Sequence, residues 1–360
     1  MNAVSNDVSA GGVPGATVAI IGAGLAGAAC ARGLQAAGVQ VTVFDKSRGV
    51  GGRLATRRAG VNLPGQAEAV EVGFDHGAPQ IVARSPRLRA VVARAEQAGV
   101  LAPWAPRVHA PWPGPTHGPG HIALPGMPGF VRHVLGDTPV QLAQAVQRLQ
   151  RGRDGRWRVI VDGREAGVFD QVVLAMPPTQ AAALLTGHHE VWSEALAAWP
   201  MCPVWTLMAV TDEVDWPWDA AEPPTGALTW ITRNDRRPGR TRLPGHAVWV
   251  AHAHAAWSQG HLDDDPADVA EALSAALAES WSRDERATVR WHHRAVHRWR
   301  YAASGRPPVD ARLCWWDAGR GLGVCGDYLA GGDVDGAWRS GDELGDRMAA
   351  ELESMGLLAA

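Results

Sequence analysis

Three glycines near the start of the chain, Gly22, Gly24 and Gly27, have the spacing G-x-G-x-x-G. They follow the apolar run ATVAII and precede the helix-favouring segment LAGAACARGLQAAG. In such a strand–turn–helix the first glycine permits the tight turn, the second admits a pyrophosphate, and the third lets helix and strand pack closely. The free N–H groups of the helix N-terminus then attract phosphate charge. The pattern therefore predicts a phosphate-binding loop.

A carboxylate ends the second strand-like run, VQVTVFDK, about 20 residues after the loop, where such a group binds a ribose diol. This residue is Asp45. Its charge would repel a 2′-phosphate, which disfavours tightly bound NADP at this loop. The carboxylate alone does not separate NAD from FAD.

A second glycine-rich segment, GVGGRLATRR at residues 49–58, follows directly. Its glycines let the backbone come close to a long ligand, and Arg53 offers a charged donor fork for a pyrophosphate. Arg57 and Arg58 are compatible with an ordinary surface loop. The length of ligand implied by two adjacent glycine segments favours FAD over NAD.

A third glycine- and aspartate-rich turn, GVCGDYLAGGDVDGAWRSG, lies at residues 323–341. FAD is a long ligand with two ends, so it needs an anchor away from the adenosine loop. Asp327 can accept a hydrogen bond from a ribityl hydroxyl, and the helix N-terminus near Val334 to Ala337 can face the flavin N1–C2=O edge. The alternative is a plain glycine turn with Asp335 as the helix N-cap.

The elements that must position these motifs are interleaved along the chain. Strand patterns for the nucleotide domain occur at 18–45, around 140–176 and at 322–326, and two excursions between them are mostly β in pattern. In the second excursion AVWVAHAHAAW, which ends at Trp257, predicts a strand, and ADVAEALSAALAESW predicts a helix that Pro266 helps to start. The sequence predicts an α/β fold in which a Rossmann-type FAD-binding domain carries an inserted mixed α+β substrate domain. The predicted boundaries are a mobile tail at 1–15, an FAD domain at 16–80, 136–190 and 303–360, and a substrate domain at 81–135 and 191–302.

Composition excludes several classes of protein. The chain has 360 residues, 46% of them hydrophobic, and a formal net charge of −3, which gives no general attraction to nucleic acid or anionic membrane. Four cysteines are scattered without C-x-x-C spacing, and the N-terminus has no cationic and apolar leader pattern. These features predict a cytoplasmic protein with no metal site and no obligate protein partner.

Taken together, GAGLAG, DKSRGVGGRLATRR and CGDYLAGGDVDGAWRSG resemble the flavin-dependent amine oxidase superfamily. The stretches FDHGAP, VVLAMPP, WITRNDRRPGR, WVAHAHAAWSQGHL and HRWRYA are similar to its renalase-like branch, particularly the bacterial members. The resemblance extends from about residue 16 to the end of the chain. It implies a fold like that of p-hydroxybenzoate hydroxylase, with FAD held without a covalent bond.

The resemblance also implies a reaction and a set of cofactor contacts. Renalases oxidise 2- and 6-dihydronicotinamide isomers of NAD(P)H to NAD(P)+ and pass the electrons to oxygen as hydrogen peroxide. The substrate would thus be a dinucleotide, with oxygen as the second reactant. The expected cofactor residues are Gly22, Gly24, Leu25, Ala26, Gly27, Asp45, Lys46, Gly52, Arg53, Ala78, Gln80, Val146, Asp327, Val334, Gly336 and Ala337. Pro79 and Gln80 depart from the amide and aromatic that the family commonly has there.

Hydride transfer from a dihydropyridine needs stacking geometry and exclusion of water rather than a general base. The candidates for a substrate pocket are Trp230, Arg233, Trp249, Trp299 and Tyr301, and each tryptophan is equally compatible with a place in the core. Arg233 begins the run RNDRRPGR, which is either a solvated turn or a guide for a pyrophosphate-bearing substrate. His76 and His297 are expected near the flavin, although no catalytic residue is assigned.

The lysine content bears on the reaction. The chain has a single lysine, Lys46, on the adenosine side of the predicted site. Amine oxidases proper use a lysine beside flavin N5, so its absence counts against a simple amine oxidase. A flavin amine oxidase or desaturase acting on an apolar substrate, and an FAD-binding protein without turnover, remain the alternatives.

Overall fold

The computed structural model describes residues 15–110, 118–304 and 312–356. All of the predicted N-terminal tail except Gly15 lies outside the described residues. The strands are β1 (Thr17–Ile21), β2 (Gln40–Phe44), β3 (Arg57–Val61), β4 (Val70–Phe74), β5 (Leu101–Trp104), β6 (Val108–His109), β7 (Gly120–Ala123), β8 (Val140–Gln141), β9 (Val146–Arg151), β10 (Trp157–Val161), β11 (Arg164–Phe169), β12 (Gln171–Leu174), β13 (Met201–Asp212), β14 (Ala220–Ala221), β15 (Leu228–Arg233), β16 (His246–Ala253), β17 (Trp291–Ser304), β18 (Trp315–Asp317) and β19 (Leu322–Val324).

The helices lie between these strands and after the last of them. They are α1 (Leu25–Ala36), α2 (Pro86–Gln97), α3 (Pro128–Leu135), α4 (Pro178–Leu185), α5 (Glu190–Ala197), α6 (Ala255–Gly260), α7 (Pro266–Ala278), α8 (Arg283–Thr288) and α9 (Val334–Ser354). Short 3-10 turns lie at Asn234–Arg236 and Asp327–Leu329.

A mostly parallel sheet with the order β18-β19-β12-β1-β2-β8 forms the nucleotide-binding half. β1 pairs in parallel with both β2 and β12, so the strand leading into the glycine loop lies inside the sheet. Four of the five residues of β1 are buried, as an apolar strand covered on both faces should be. This arrangement confirms the predicted α/β fold with a Rossmann-like dinucleotide-binding domain.

Helices α1 and α9 pack closely against each other beside this sheet. A Cβ at Gly341 of α9 would collide with the carbonyl oxygen of Ala26, and Gly33 and Gly345 approach each other at the same crossing. The glycines bring the two helix backbones together, as small residues at a helix crossing do. The C-terminal helix is thereby held against the helix that follows the glycine loop.

A second, antiparallel sheet has the order β17-β13-β16-β15-β14-β6. One of its faces packs on α7, where Trp205, Trp249 and Leu273 are buried together. The other face contacts the β3–β4 hairpin through Met208 and Val250. A smaller antiparallel sheet, β11-β10-β9, is inserted before β12.

Some predicted elements are corrected by the structure. The segment 81–135 is not mostly β, because it contains α2 and α3. α2 buries Leu88, Val91, Val92 and Ala95, at the i, i+3, i+4, i+7 spacing of one helical face. These residues pack in the core around α1 and β1, while β6 of the same segment joins the antiparallel sheet. The proposed domain boundaries stay a prediction.

The strand predicted through Trp257 ends earlier. β16 stops at Ala253 and α6 begins at Ala255, because the chain folds back onto β13, where the Ser258 hydroxyl accepts a hydrogen bond from the Trp205 backbone N–H at 3.0 Å. The helix predicted near Pro266 is confirmed as α7, with the Asp265 side chain capping Ala267 N–H. None of the helices in the described ranges is long and apolar enough to cross a membrane.

Candidate FAD and substrate site

The glycine loop between β1 and α1 has the close contacts that its spacing predicts. Gly22 has φ +120°, and a Cβ there would collide with the Ala175 carbonyl. A Cβ at Gly27 would collide with the carbonyl of Gly22, whereas a Cβ at Gly24 would meet no protein atom within 4 Å. Gly22 and Gly27 therefore allow close packing of the loop. Gly24 faces open space, where a phosphate can approach the protein backbone.

The N-terminus of α1 suits an anion. Its N-cap is Gly24, no side chain caps it, and Leu25 and Ala26 are buried at only 5% and 7% exposure. Uncapped N–H groups at the start of a buried helix need an acceptor, and a phosphate provides one. The predicted contacts Gly22 to Gly27 thus fit the pyrophosphate of a dinucleotide.

Asp45 supports the glycine loop through its carboxylate. One carboxylate oxygen accepts the Ala23 N–H at 2.7 Å, and the other accepts the Ser47 N–H at 2.7 Å. Each oxygen keeps capacity for a further donor such as a ribose hydroxyl. The backbone of Gln144 also donates to the Asp45 carbonyl, which brings the segment before Val146 to the same edge.

Two other residues expected on the adenosine side, Lys46 and Val146, are not buried. Lys46 is exposed and its Nζ donates to the Gln180 side chain at 3.3 Å. Val146 begins β9 half-buried and pairs with Val161. The only lysine of the chain therefore lies next to Asp45 and is hydrogen-bonded to Gln180.

Arg53 joins the two remote glycine turns. Its two terminal nitrogens bind both carboxylate oxygens of Asp327, and Nη1 also donates to the Ala302 carbonyl at 2.9 Å. Gly51, two residues before Arg53, forms a β-bridge with Gly24. Because Arg53 binds Asp327, the loop after β1 and the turn after β19 are neighbours. In this structure Arg53 and Asp327 contact each other, and their roles toward pyrophosphate and ribityl stay predictions.

The start of α9 is organised differently from the sequence-based expectation. The N-cap is Asp333, whose carboxylate accepts the Gly336 N–H at 2.8 Å, so this N–H is not free to face a flavin. Asp335 is not the cap, because its carboxylate accepts from Arg84 N–H, Ser85 N–H and the Ser85 hydroxyl. Val334 remains the first helical residue of this turn. The backbone N–H groups of Gly336 and Ala337 both donate to Asp333. The flavin contacts expected at these residues stay a prediction, and free backbone donors do not support it.

His76, His297 and Trp299 form one cluster, which we call the imidazole–indole wall. The His76 ring stacks on Trp299 with centroids 5.0 Å apart and meets His297 edge-on at 4.8 Å. Trp299 Nε1 donates to the His76 carbonyl at 2.9 Å, which fixes the indole. His297 and Trp299 are half-buried, so part of the wall is exposed to solvent.

Burial makes this wall neutral near pH 7. It lowers the pKa of His76 to about 4, with a further lowering by the neighbouring His297. The pKa of His297 is lowered as well, by burial and by the positive charge of Arg57. His76 Nδ1 is buried with no hydrogen-bond partner in the described part of the chain. Buried nitrogens without a hydrogen-bond partner are uncommon in folded proteins.

Other predicted residues extend this region. Ala78 N–H donates to the Arg53 carbonyl at 2.8 Å. Gln80 is 4% exposed, its amide nitrogen donates to Gly118 O at 2.9 Å, and its oxygen has no partner among the described residues. Trp230 is buried and pairs across the sheet with His252, while Tyr301 is half-buried in β17. His252, which the sequence suggests is a structural or surface residue, is buried, and its Nε2 contacts the Gly77 carbonyl at 2.9 Å.

Arg233 and Trp249 lie elsewhere. Trp249 and His252 are three positions apart on β16 and so point to opposite faces of the sheet. Trp249 is fully buried against α7, and Arg233 lies over its ring at 5.0 Å. The guanidinium of Arg233 is bound by Glu213 and Asp235, and these contacts raise its pKa. Trp249 therefore takes the place in the core that the sequence left open for each tryptophan, on the sheet face opposite to His252.

The arginine run after β15 is mostly buried rather than a solvated turn. Arg237 and Arg240 both bind the carboxylate of Asp75, at 3.0 and 2.8 Å, and all three side chains are almost fully buried. The other oxygen of Asp75 accepts from the Thr56 hydroxyl at 2.6 Å. This ion cluster joins the FDHGAP turn to the antiparallel sheet and thereby supports His76.

Comparison with known proteins agrees with this geometry. Residues 20–95 match the NAD(P)-binding Rossmann-like domain, and residues 113–348 match the flavin containing amine oxidoreductase family. Fold and site together define an FAD-dependent oxidoreductase. More particularly, the chain belongs to the flavin containing amine oxidoreductase family, since that match covers well over half of it.

Solved structures share the fold at low sequence identity. Cyclohexylamine oxidase from Brevibacterium oxydans aligns with a TM-score of 0.68 at 14% identity, over 94% of this chain and all of that one. An oxidoreductase from Methanosarcina mazei aligns at 0.64 and 14% identity, over 91% of this chain and 99% of that one. Putrescine oxidase bound to putrescine aligns at 0.60 and 14% identity, over 94% and 99%.

A curated relative is similar over a shorter region. It is the tRNA 5-methylaminomethyl-2-thiouridine biosynthesis bifunctional protein MnmC of Magnetococcus marinus, 28% identical over 220 residues. The match covers 51% of this chain and 32% of the relative. The chain therefore aligns with about a third of that protein's length.

Proposed function

We propose that this oxidoreductase is a renalase-type oxidase that converts 2- or 6-dihydronicotinamide isomers of NAD(P)H to NAD(P)+. The observation that carries the proposal is the neutral imidazole–indole wall of His76, His297 and Trp299. Its half-buried indole, Trp299, would offer a flat face to an uncharged dihydropyridine ring. When bound, FAD would supply the two-electron oxidation, with oxygen as the final electron acceptor and hydrogen peroxide as its product.

The protein's own residues have positioning roles in this proposal. Trp299 is fixed by its hydrogen bond to the His76 carbonyl, so its indole presents a constant face to a substrate ring. The lowered pKa of His76 keeps a positive charge away from a ring that becomes cationic as it loses hydride. Hydride transfer needs this orientation and the exclusion of water rather than a proton-accepting side chain.

The missing lysine also supports the proposal. Lys46 is the only lysine in the chain, and it contacts Gln180. The lysine that amine oxidases place beside flavin N5 therefore has no counterpart here. This difference favours a substrate that gives up hydride without help from such a residue.

Amine oxidation is the second candidate. It is favoured by membership of the flavin containing amine oxidoreductase family and by structural likeness to cyclohexylamine oxidase and putrescine oxidase. The two candidates differ in the charge of the substrate. The reacting ring of a dihydronicotinamide is uncharged, whereas an alkylamine is mostly protonated near pH 7 and has to lose a proton before it can give up hydride.

Anaerobic mixing of the yellow protein with reductants separates the candidates. We expect fast bleaching of the flavin by borohydride-reduced NAD+, which contains the isomers, and little bleaching by pure 4-NADH, cyclohexylamine or putrescine. Equal bleaching by 4-NADH and the isomer mixture, or bleaching by an amine alone, would contradict the proposal. Unchanged absorbance with all four would favour an FAD-binding protein without turnover.

A pair of variants at Trp299 tests the wall itself. Trp299→Leu removes the flat face, and we expect the rate of flavin bleaching at saturating substrate to fall at least about tenfold, the size of one lost positioning contact. Trp299→Phe keeps a flat ring but loses the hydrogen bond to His76, so a smaller loss is expected. FAD content and the flavin spectrum serve as controls for folding. Equal rates of flavin bleaching in the two variants and the unmodified protein would show that the wall does not position the substrate.

A further inference from the structure

Three potential metal ligands meet at one end of the antiparallel sheet, away from the imidazole–indole wall. Asp212 is the last residue of β13, His246 is the first residue of β16, and His292 is the second residue of β17. β13 pairs with both other strands, and Asp212 is directly opposite His246 in the register. Hydrogen bonding of three neighbouring strands thus fixes the three side chains at one edge.

The ligand atoms are close together. His292 Nε2 lies 2.8 Å from Asp212 Oδ1, and the rings of His246 and His292 meet edge-on with centroids 4.9 Å apart. One ligand atom from each residue can be chosen so that all three lie within 4.8 Å of one another. Around a tetrahedral ion with bonds of about 2 Å, ligand atoms are roughly 3.3 Å apart, so only modest side-chain rotation is required.

The surroundings prepare His246 for coordination. Its Nδ1 lies 2.8 Å from the Pro244 carbonyl, which can only accept a hydrogen bond. Nδ1 therefore carries the proton, and Nε2 keeps its lone pair. A backbone carbonyl that orients the second nitrogen in this way is the usual partner of a metal-binding histidine.

Access and competing charge are compatible with an ion. The Asp212 side chain is 26% exposed, so an ion can approach it from solvent. His246 also lines a polar cleft of about 530 Å³, whose lining includes four arginines and three carboxylates but neither Asp212 nor His292. Arg290 Nε donates to the second oxygen of Asp212 at 3.0 Å and would compete with a cation. The Arg290 side chain is 71% exposed, so it can move into water at little cost.

We propose that Asp212, His246 and His292 bind one divalent transition-metal ion of the zinc class, with water completing its coordination. Two imidazoles and one carboxylate form a donor set that suits Zn²⁺ and Co²⁺ and not Mg²⁺ or Ca²⁺, which prefer oxygen ligands. The ion takes the place of the proton between His292 and Asp212. It links β13, β16 and β17 at this end of the sheet and so stabilises the sheet.

Binding of Co²⁺ and Zn²⁺ to the FAD-loaded, tag-free protein after dialysis against a chelator tests this site. We expect one Co²⁺ per chain with the visible absorption of a low-coordinate nitrogen–oxygen site, displacement of Co²⁺ by Zn²⁺, and a higher midpoint of thermal unfolding with Zn²⁺ than with Mg²⁺. His292→Ala and Asp212→Asn should each weaken Co²⁺ binding at least about tenfold. His133→Ala, which changes an exposed histidine on α3, should bind as the unmodified protein does.

The flavin spectrum of every variant reports whether it is folded, so loss of metal binding can be separated from loss of structure. If His292→Ala loses its flavin, Asp212→Asn and His246→Gln provide the same test with smaller changes. Absence of stoichiometric Co²⁺ binding to the unmodified protein would overturn the proposal. Equal binding by the His292 and His133 variants would overturn it too.

Discussion

At the scale of single residues, His76 connects a buried position with the chemistry proposed for the site. Its ring is 6% exposed and touches His297 and Trp299, and its carbonyl accepts from that indole. The His76 imidazole thus lies at a buried position where a positive charge is unfavourable. This placement makes stability depend on pH in a predictable direction.

We expect the free energy of unfolding to fall as the pH is lowered from about 7 toward 5. The pKa of His76 is about 4 in the folded protein and 6.5 in an unfolded chain, so the unfolded state binds the proton more tightly and gains from acid. Between pH 7 and pH 5 this single group accounts for roughly 2 kcal/mol.

Urea unfolding of the unmodified protein and of His76→Asn at the two pH values measures the effect. The variant should lose less stability between pH 7 and pH 5 than the unmodified protein does, by about that amount. A His133→Asn control changes a histidine on the surface and should keep the original slope. Parallel pH dependence in the His76 variant and the unmodified protein would contradict the lowered pKa.

At the scale of elements, the strand–loop–helix from β1 to α1 combines two demands on its glycines. Gly27 is required because the helix lies against the loop, with no room for a Cβ beside the Gly22 carbonyl. Gly24 has no protein atom within 4 Å of such a Cβ, so its requirement comes from the ligand. One motif therefore contains a packing glycine and a binding glycine.

Alanine at each position distinguishes the two demands. Gly27→Ala should lower the stability of the protein even without FAD, by about 1–3 kcal/mol or more, because overpacking forces the backbone apart. Gly24→Ala should leave the stability of the FAD-free protein nearly unchanged and weaken FAD binding at least about tenfold. Thermal unfolding of the FAD-free protein and titration with FAD give the two readouts. Equal effects of both variants on the FAD-free protein would contradict this division.

At the scale of the whole molecule, buried ion pairs join segments that are far apart in sequence. Asp75 follows β4, and its partners Arg237 and Arg240 follow β15. Arg53 and Asp327 make a similar link between the first and last parts of the chain. The position of the wall thus depends on contacts between the hairpin and the antiparallel sheet.

Removal of the charge at Asp75 should be costly. Asp75→Asn leaves the guanidiniums of Arg237 and Arg240 buried without their counter-ion, and breaking a buried pair in this way costs about 3–5 kcal/mol. Asp263→Asn is the matched control, because Asp263 is 80% exposed and contacts Arg298 and Arg300 at 3.4 Å. We expect at most about 1 kcal/mol there. Similar unfolding midpoints in urea for the two variants would show that the buried cluster does not stabilise the fold.

The local sequence determined the parts of this protein that depend on short-range geometry. The glycine spacing predicts the loop at Gly22 to Gly27, and the Pro266 start predicts α7, because turn and helix signals act over a few residues. The apolar residues of α2 also repeat at helical spacing, but the segment that contains them is predicted from the sequence to be mostly β structure.

Only the tertiary structure decided which side chains meet. Strand pairing placed Trp299 beside His76 and placed Trp249 on the opposite face, and a sequence cannot show which face of a sheet lies toward a ligand until the partners are known. The same pairing brought together Asp212, His246 and His292, and buried the RNDRRPGR run against Asp75. Contacts of this kind join residues that are far apart in sequence, 80 positions for Asp212 and His292, so their identity depends on the fold as a whole.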